Sequence, residues 1–341
     1  MGPRVCQHVP VPAPSPVRIL GTGAHRPSRI VTSADLDSAH GRVPGESEAR
    51  SGVSSRRWIG PEETSSVMAA SAVSAALAAA GLEAGDLDAV IVSAVAPEQP
   101  MPTTAVLTLV ALGVDGGRCD AFDVNASCVG FLTGLRIAQD GIDAGRWDRV
   151  AVVASEIASK GLDHAHTEAS ALFGDGAGAV VLGRTAPGEG SAVLASRSAV
   201  WPAAAQACRI EGGGTRWNPM TPPEHPSAYL FQMDGAALLR QVARHLPGFL
   251  RDVSERAGID VGDVDVVVPH QASGVGLRYL RSFARPDAVV DILAEHGNQV
   301  SASIPTALDH AVRTGRLTRG STALLLGTGA GLTLAATVVR Y

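Results

Sequence analysis

The feature that most constrains the fold of this chain is an internal repeat of two short signatures. Residues 81–92 read GLEAGDLDAVIV, and residues 258–268 read GIDVGDVDVVV. A second pair follows in the same order, because residues 172–182 read LFGDGAGAVVL and residues 325–335 read LLGTGAGLTLA. One such match could be a common connector between a helix and a strand. Two matches in the same order favour a duplicated unit.

Each copy of the repeat predicts a helix followed by a buried strand. Amphipathic spacing predicts helices over Ser65–Ala80 and Gly235–Ala257, and the second signature predicts a Gly-rich turn before a strand. Runs such as AVIVSAV and RVAVVAS are typical of strands buried on both faces, so helices must cover both sides of the sheets. We therefore predict an α/β fold of two halves, residues 17–183 and 184–341, after a flexible N-terminal arm over residues 1–16.

The composition excludes several classes of protein. The chain has 28 basic and 33 acidic residues, a net charge of -5, which is not the basic surplus of a nucleic-acid-binding protein. No signal peptide or membrane-spanning run is recognised. Four cysteines, Cys6, Cys119, Cys128 and Cys208, have spacings that fit neither a zinc site nor a redox pair. We expect a cytoplasmic protein with free thiols that binds no metal, nucleic acid or membrane.

Cys128 is the first candidate for chemistry because of its place in the segment CDAFDVNASCVGFLTGLRIAQDG. The segment predicts a strand over residues 119–124 and a helix over residues 130–140, with the thiol at the junction. A thiol there meets the positive end of the helix dipole, which favours the thiolate and predicts a lowered pKa. Without this context a cysteine is more often a small buried apolar residue, as we expect for Cys119 and Cys208.

Two polar residues in the second half are the other candidates. His270 follows the apolar strand VDVVV and a proline, at the carboxyl end of a buried strand, where α/β folds place their sites. Asn298 lies in a Gly-Asn turn before a helix that we expect to begin near Ser301. The two GxGxG turns do not predict a dinucleotide site, because neither matches GxGxxG at the start of a helix.

Six motifs in this order closely resemble the β-ketoacyl-acyl-carrier-protein synthase III family of the thiolase superfamily, over roughly residues 17–341. They are NASCVGF, FGDGAGAVVL, FQMDG, VPHQAS, HGNQVSASIP and GTGAGLT. The resemblance implies a thiolase-like fold, a duplicated five-layer αβαβα architecture, in a homodimer. It also implies acyl-coenzyme A or acyl-carrier-protein thioesters as substrates, an acyl carrier protein as partner, and no cofactor.

The resemblance also implies roles for individual residues. Cys128 would be the acylated nucleophile, and His270 and Asn298 would bind the malonyl thioester carbonyl as carbon dioxide is lost. The backbone N–H groups of Cys128 and Ala330 would form the oxyanion hole. The implied activity is decarboxylative Claisen condensation in fatty-acid or specialised polyketide biosynthesis.

Further positions follow from the same resemblance. Arg50 and, in the motif FQMDG, Met233 and Gly235 are implied substrate-binding positions. Met101 would cross the dimer interface and close the partner's acyl tunnel. Otherwise Met101, between two prolines, would simply pack a loop.

The chain departs from the family pattern in several places. Ala330 replaces a usual glycine, which predicts backbone strain if its φ is positive. Glu46 takes the place of a tryptophan that stacks on the coenzyme A adenine, and Thr167 takes the place of an arginine that binds coenzyme A. Ser273 replaces the usual asparagine. The changes at Glu46 and Thr167 favour a donor bound to a carrier protein, or an unusual acyl group, whereas the replacement at Ser273 has no assigned consequence.

The segment GLRYLRSFARPD after His270 carries three arginines, Arg278, Arg281 and Arg285. Their spacing predicts that all three lie on one face of a helix near the site, where they could dock an acidic carrier protein. A face of this kind is more often only solvated. The family's docking residues do not align one for one, since Val275 occupies one of those positions.

Other activities stay open at this point. Family members can transfer an acyl group to an oxygen or nitrogen nucleophile, or condense two acyl thioesters. A non-catalytic partner subunit is disfavoured because Cys128, His270 and Asn298 are all present. A hydroxymethylglutaryl synthase would need a catalytic glutamate, for which Glu98 and Glu156 are the candidates. The Gly-Asn motif of this chain does not fit that activity.

Overall fold

The computed structural model of the protein describes residues 13–341. The first half contains seven strands and six α-helices. The strands are β1 (Val17–His25), β2 (Arg29–Thr32), β3 (Ser55–Trp58), β4 (Ala89–Ser93), β5 (Asp120–Val124), β6 (Arg149–Glu156) and β7 (Gly176–Arg184). The helices are α1 (Ser33–Ala39), α2 (Glu46–Ser51), α3 (Ser65–Ala80), α4 (Thr104–Ala111), α5 (Gly130–Asp143) and α6 (Thr167–Ser170).

The second half contains six strands and four α-helices. The strands are β8 (Ala192–Val200), β9 (Cys208–Arg209), β10 (Gln232–Met233), β11 (Val266–Pro269), β12 (Thr322–Gly329) and β13 (Thr333–Arg340). The helices are α7 (Gly235–Ala257), α8 (Gly274–Leu280), α9 (Leu293–His296) and α10 (Ser303–Arg313). Single 3-10 turns cover Ala84–Asp86, Ala158–Gly161, Pro202–Ala204, Pro226–Tyr229, Pro286–Ala288 and Val300–Ala302.

The two main sheets repeat one topology. The first has the order β1-β7-β6-β4-β5, in which β7 is antiparallel to both neighbours while β6, β4 and β5 are parallel. The second has the order β8-β13-β12-β11, with β13 antiparallel to both neighbours and β12 parallel to β11. Val289 forms a parallel bridge to Val267, at the place that β5 occupies in the first sheet. This correspondence confirms the duplication predicted from the signatures.

Helices and sheets alternate in five layers. Helices α5 and α10 contact strands of both sheets and so form the middle layer. Helix α3 covers the outer face of the first sheet, and α7 covers that of the second. Three apolar cores fill the spaces between these layers, and a fourth lies around Cys128. The predicted αβαβα architecture is confirmed.

The signature segments behave alike at their helices and differently at their Gly-rich turns. Helices α3 and α7 have the predicted bounds, and each ends at a left-handed glycine, Gly81 or Gly258. In the first half, however, β7 begins at Gly176, within the expected GxGxG turn, and the backbone of α10 leaves no room for a side chain at Gly178. The prediction of a turn before the strand is wrong there, because close helix-to-sheet packing also selects glycine. In the second half a turn does precede β13.

The predicted arm is tied down at its end. Residues 1–12, including Cys6, lie outside the described residues. Ser15 is buried, and its backbone pairs with Val193 through hydrogen bonds of 2.9 and 3.1 Å. The expectation of a loose segment up to residue 16 is therefore wrong at Ser15, because this residue extends the pairing next to β8.

No helix within residues 13–341 is both long and apolar enough to cross a membrane. The 23 residues of α7 would reach across a bilayer core. Charged side chains along it, such as Arg240, Arg251 and Glu255, belong instead to a helix with one solvated face.

Candidate active site

The segment between β5 and α5, which we name the nucleophile loop (residues 125–128), carries Cys128. Asn125 shapes it, since its Oδ1 accepts the backbone N–H of Ser127 at 3.0 Å. Ser127 has φ of 52°, a left-handed conformation that turns the chain sharply before the cysteine. A Cβ on Gly130 would lie 2.0 Å from Ser93 Oγ, so only glycine fits at the start of α5. The predicted junction between strand and helix is confirmed.

The side chain of Cys128 is half-buried against apolar residues. Burial raises the pKa of its thiol, and Cys208 and Glu156 add to the increase. Hydrogen bonds from the backbone N–H groups of Cys128 and Ala330 act in the opposite direction but do not outweigh burial. The prediction of a lowered pKa is therefore wrong for the free protein, because apolar surroundings disfavour the thiolate more than the helix end favours it.

Ala330 lies in the turn between β12 and β13, and a hydrogen bond from its backbone N–H acts to lower the pKa of the Cys128 thiol. It is not among the residues with positive φ. The left-handed residues of this turn are Gly331 and Leu332, with φ of 76° and 41°. The strain expected at Ala330 is therefore absent there, because the turn adopts its left-handed conformation at the next two residues.

His270 follows β11 directly, as its position after a buried strand predicts. Its backbone N–H donates to the Leu326 carbonyl at 2.8 Å, which anchors it beside β12. Its side chain is buried, and its Nδ1 has no hydrogen-bond partner within the described residues. Burial lowers the pKa of His270 to about 4, so the imidazole is neutral at physiological pH.

Asn298 lies in a loop after α9, which we name the Asn298 loop (residues 297–301). Its Oδ1 accepts the Val300 N–H at 2.8 Å, and its Nδ2 donates to the Ala272 carbonyl at 3.3 Å. The Ala272 N–H in turn donates to the His270 carbonyl at 2.9 Å. Asn298 and His270 are thereby held on one network. The expected helix begins as a 3-10 turn at Val300 and continues as α10.

An apolar cluster joins Cys128 to the Asn298 loop. Leu172 and Phe173 of this cluster pack near the thiol, and their backbone pairs with Asn298. Met233, from β10, lies half-buried in the same cluster. The apolar cluster thus connects Cys128 to the loop that carries Asn298 and to the predicted substrate position Met233, while Asn298 is linked to His270 through Ala272.

The surface near α2 contains the positions where the chain departs from the family pattern. Glu46 Oε1 pairs with Arg50 Nε at 3.0 Å and accepts a hydrogen bond from Thr167 Oγ1 at 3.5 Å. Gly235, at the start of α7, lies against the Glu168 carboxylate, since a Cβ there would come within 2.8 Å of it. Arg50 is therefore not a free cation, and two carboxylates lie near the predicted substrate positions.

Three further residues from the sequence analysis are Met101 and the two cysteines without a predicted catalytic role, Cys119 and Cys208. The side chain of Met101 is 81% exposed and is not part of the cluster around Cys128. Within one protomer it stays outside the site. Burial raises the pKa of Cys119 to about 11, with Asp120 and Asp88 adding to the increase, and burial alone raises that of Cys208 to about 11.

The predicted basic helix face is not formed. Helix α8 ends at Leu280, because the Ser282 hydroxyl donates to the Tyr279 carbonyl and the chain turns. Arg281 is paired with Asp291 at 2.7 Å, and Arg285 lies beyond the helix, with its guanidinium near the Asp265 carbonyl at 3.5 Å. Only Arg278 lies within α8 and is exposed. The prediction of three arginines on one helix face is therefore wrong.

The sequence arguments did not place Glu156 in this site. It ends strand β6, is buried, and accepts hydrogen bonds from Val95 and Ser301. Burial raises the pKa of its carboxyl to about 7. Glu156 lies at the carboxyl end of a buried strand. The same signal identified His270 and could have identified Glu156. Glu98, in contrast, accepts the Ser66 N–H at the start of α3.

Comparison with known proteins places these features in context. The family described as 3-oxoacyl-[acyl-carrier-protein] synthase III matches residues 122–199, and its C-terminal family matches residues 254–341. The chain is 34% identical over 335 residues, 96% of this chain and 98% of the relative, to a β-ketoacyl-[acyl-carrier-protein] synthase III of Symbiobacterium thermophilum.

Two further similarities are informative. The chain is 34% identical to the acetoacetyl CoA synthase NphT7 of a Streptomyces species, over 95% of this chain and 98% of the relative. A solved structure, the priming β-ketosynthase of the R1128 polyketide biosynthetic pathway, is 32% identical. It superimposes with a TM-score of 0.86 over 97% of this chain and 98% of its own.

Proposed function

This chain belongs to the β-ketoacyl-[acyl-carrier-protein] synthase III family, and we propose that it condenses a Cys128-bound acyl group with a malonyl thioester. The enzyme is an acyltransferase of the condensing type. The observation that carries the residue assignment is the position of Cys128. The backbone N–H groups of Cys128 and Ala330 act to lower its thiol pKa, and the apolar cluster around it reaches the loop in which Asn298 is linked to a neutral His270.

In the first step the Cys128 sulfur attacks the carbonyl carbon of an acyl thioester. The carbonyl oxygen becomes an oxyanion, which the N–H groups of Cys128 and Ala330 would stabilise; their effect on the thiol pKa supports this role. The intermediate collapses, the C–S bond of the donor breaks, and the departing thiolate takes up the proton lost by Cys128. The acyl group is then bound to the enzyme as a thioester.

In the second step a malonyl thioester loses carbon dioxide. The electrons of the broken C–C bond form an enolate, whose oxygen requires hydrogen-bond donors that do not protonate the carbanion. A neutral His270, with a pKa of about 4, and the Asn298 amide fit this requirement. The carbanion then attacks the acyl-Cys128 carbonyl, a C–C bond forms, and the cysteine thiolate is released.

Other activities receive less support from the site. Transfer to an oxygen or nitrogen nucleophile would not require both His270 and Asn298 as enolate donors. A hydroxymethylglutaryl synthase requires a free glutamate, whereas Glu98 binds the start of α3 and Glu156 is occupied by Val95 and Ser301. No observation favours condensation of two acyl thioesters over decarboxylation.

We infer that an acyl carrier protein delivers at least one substrate. A carboxylate at Glu46, paired with Arg50, disfavours the phosphates of coenzyme A at the α2 surface. Basic side chains lie instead on α7 and α8, which meet where the Tyr279 hydroxyl donates to the Ala243 carbonyl at 3.4 Å. Arg240, Arg244 and Arg278 are exposed there, and we name them the basic patch. An acidic carrier protein would complement the charge of this patch. We also infer a cytoplasmic location, which is consistent with the free thiols.

We infer that the second copy needed to complete the site binds along strand β5. This strand is an edge of the first sheet and pairs only with β4 within residues 13–341. The neighbouring helix α4 exposes Val106 and Val110, and the loop before it exposes Met101. An apolar surface beside a free strand edge is typical of an interface. A homodimer of this kind would allow Met101 to reach the partner's site.

The direct test of the nucleophile is intact-protein mass spectrometry after offering a panel of acyl thioesters. We expect the wild type to gain one acyl mass and Cys128→Ala to gain none. Cys208→Ala is the matched control, a nearby buried thiol that should not matter for loading. An undiminished acyl mass on Cys128→Ala would show that another residue is the nucleophile.

A further inference from the structure

Glu156 is a buried carboxylate that the proposed reaction does not use. Its side chain extends from the end of β6 and the residue is only 4% exposed. It accepts the Val95 N–H at 3.1 and 3.2 Å on its two oxygens. It also accepts the Ser301 hydroxyl at 2.5 Å and the Ser301 N–H at 3.4 Å. Burying a carboxylate costs free energy unless its oxygens accept hydrogen bonds, and here both oxygens do, so the surroundings are arranged to hold this side chain.

One branch of these hydrogen bonds leads to the nucleophile. The Val95 carbonyl accepts the Asn125 Nδ2 at 3.0 Å. Asn125 Oδ1 in turn accepts the Ser127 N–H at 3.0 Å, and Ser127 holds the left-handed turn before Cys128. Glu156 therefore fixes Val95, and Val95 fixes the nucleophile loop.

The other branch leads to Asn298. Ser301 belongs to the Asn298 loop, in which the Val300 N–H donates to Asn298 Oδ1 at 2.8 Å. The Ser301 hydroxyl also lies 3.3 Å from the Ser93 hydroxyl. Ser93 packs directly against Gly130 at the start of α5. Hydrogen bonds thus link both the nucleophile loop and the Asn298 loop to the Glu156 carboxylate.

We propose that Glu156 is a positioning residue that holds the nucleophile loop and the Asn298 loop at a fixed separation. This inference rests on the proposed function, in which acyl-Cys128 and the enolate held by Asn298 must come into bonding distance. Reacting groups must be placed within a fraction of an ångström, and a misplacement of about 1 Å can cost about 100-fold in rate.

The charge of Glu156 gives a readout that mere structural support would not. The titratable groups that raise the Cys128 pKa are Glu156 and Cys208. Asp175 in turn raises the pKa of Glu156. An ionised Glu156 disfavours the neighbouring thiolate and so raises the Cys128 pKa. Glu156→Gln keeps an acceptor for Val95 and a polar group for Ser301 but removes this charge.

The test measures the rates of both half-reactions, acylation and condensation, each divided by the amount of titrated thiol. Acylation is followed by intact mass and condensation by carbon dioxide release from malonyl thioester. We expect Glu156→Ala to lose about 100-fold in condensation and to load more slowly, whereas Glu156→Gln stays within about 10-fold of wild type. Glu156→Gln should also shift the pH profile of Cys128 alkylation to lower pH.

Variants of the two branches separate the effects. Ser301→Ala should slow condensation about 10-fold with little change in acylation, whereas Asn125→Ala should slow acylation. Ser155→Ala is the matched control, since Ser155 is buried one residue earlier in β6 and donates to the Ser65 carbonyl on the other face. It should keep both rates.

Two results would overturn the inference. One is wild-type condensation, per titrated thiol, in both Glu156→Ala and Ser301→Ala. The other is an unchanged alkylation profile in Glu156→Gln together with equal losses in Glu156→Ala and Ser155→Ala. Either would leave the proposed function intact, because that function fails only if the wild type does not load Cys128 or does not release carbon dioxide.

Discussion

At the scale of single residues, the acidity of the groups in the site follows mainly from burial, and neighbouring charge is the smaller cause. The pKa of the Cys128 thiol is raised and that of His270 is lowered to about 4, with burial as the main cause in both. Both residues are therefore neutral in the free enzyme at physiological pH. A neutral pair suits a reaction in which negative charge develops first on a thioester oxygen.

Asn298→Ala tests the division of labour in the site. In the proposed mechanism, loading uses the sulfur and the N–H groups of Cys128 and Ala330, whereas decarboxylation also uses the donors on His270 and Asn298. We expect the variant to acylate at a near-wild-type rate and to lose about 100-fold or more in condensation. Both half-reactions should be measured on one preparation. Equal loss of both would remove the proposed separation of roles.

Two buried histidines predict how stability depends on pH. The pKa of His270 and of His296 falls to about 4 in the folded protein from an ordinary value of 6.5, mainly through burial. Between these values the unfolded chain binds more protons, so stability falls as pH drops from about 6.5 to 4. Each histidine contributes about 3 kcal/mol to this loss.

His296→Gln should therefore reduce the drop in urea midpoint between pH 7 and pH 4.5. His225→Gln is the control, because His225 is exposed and should leave the drop unchanged. If His296→Gln and His225→Gln have the same pH dependence as wild type, the buried imidazole of His296 is not a source of acid sensitivity.

At the scale of elements, the strand ends determine where the functional groups lie. Cys128 follows β5, Glu156 ends β6 and His270 follows β11, all at carboxyl ends of strands in the parallel part of a sheet. Asn298 reaches the same region from a loop whose backbone pairs with Phe173. The duplication therefore brings groups from both halves to the nucleophile at α5.

The basic patch on α7 and α8 makes a prediction about carrier-protein docking. Reversing Arg240, Arg244 and Arg278 to glutamate should slow transfer from a carrier-bound acyl group severalfold, by reversing long-range attraction. A short free thioester should react almost as before, because it needs no docking. The difference should shrink with salt, since exposed charges are screened beyond about 10 Å at 0.1 M.

Arg285→Glu is the control for the basic patch, since Arg285 lies beyond α8 next to the Asp265 carbonyl. It should change the carrier reaction little. An equal loss with the carrier-bound and the free thioester, or a larger effect of Arg285→Glu, would show that α7 and α8 do not form the docking surface.

At the scale of the whole molecule, the sequence predicted the duplicated topology, because glycines and buried strands recur at matching places. It also predicted the junctions at Cys128 and His270, which depend on local order. It did not predict the raised thiol pKa, since burial comes from residues distant in sequence such as Phe173 and Val300. The end of α8 was not predicted, because a hydrogen bond from the Ser282 hydroxyl to the Tyr279 carbonyl competes with continuation of the helix.

The proposed dimer predicts that Met101 influences which acyl group is accepted. If a second copy binds along β5 and Met101 enters the partner's site, a larger side chain shortens the acyl group that fits. We expect Met101→Trp to favour shorter acyl chains and Met101→Ala to favour longer ones, measured by competition between thioesters of different length. Sedimentation should give twice the 34.8 kDa chain mass. Unchanged preference in both variants would show that Met101 only packs its loop.

The measurement that tests the central claim most directly is the balance between carbon dioxide and product. Wild-type enzyme carrying an acyl group on Cys128 is mixed with a malonyl thioester labelled in its free carboxyl group. We predict one labelled carbon dioxide for each new β-ketoacyl thioester, with the acyl mass disappearing from Cys128 at the same rate. Product formed with the label retained, or formed while the acyl group stays on Cys128, would contradict decarboxylative condensation at this site.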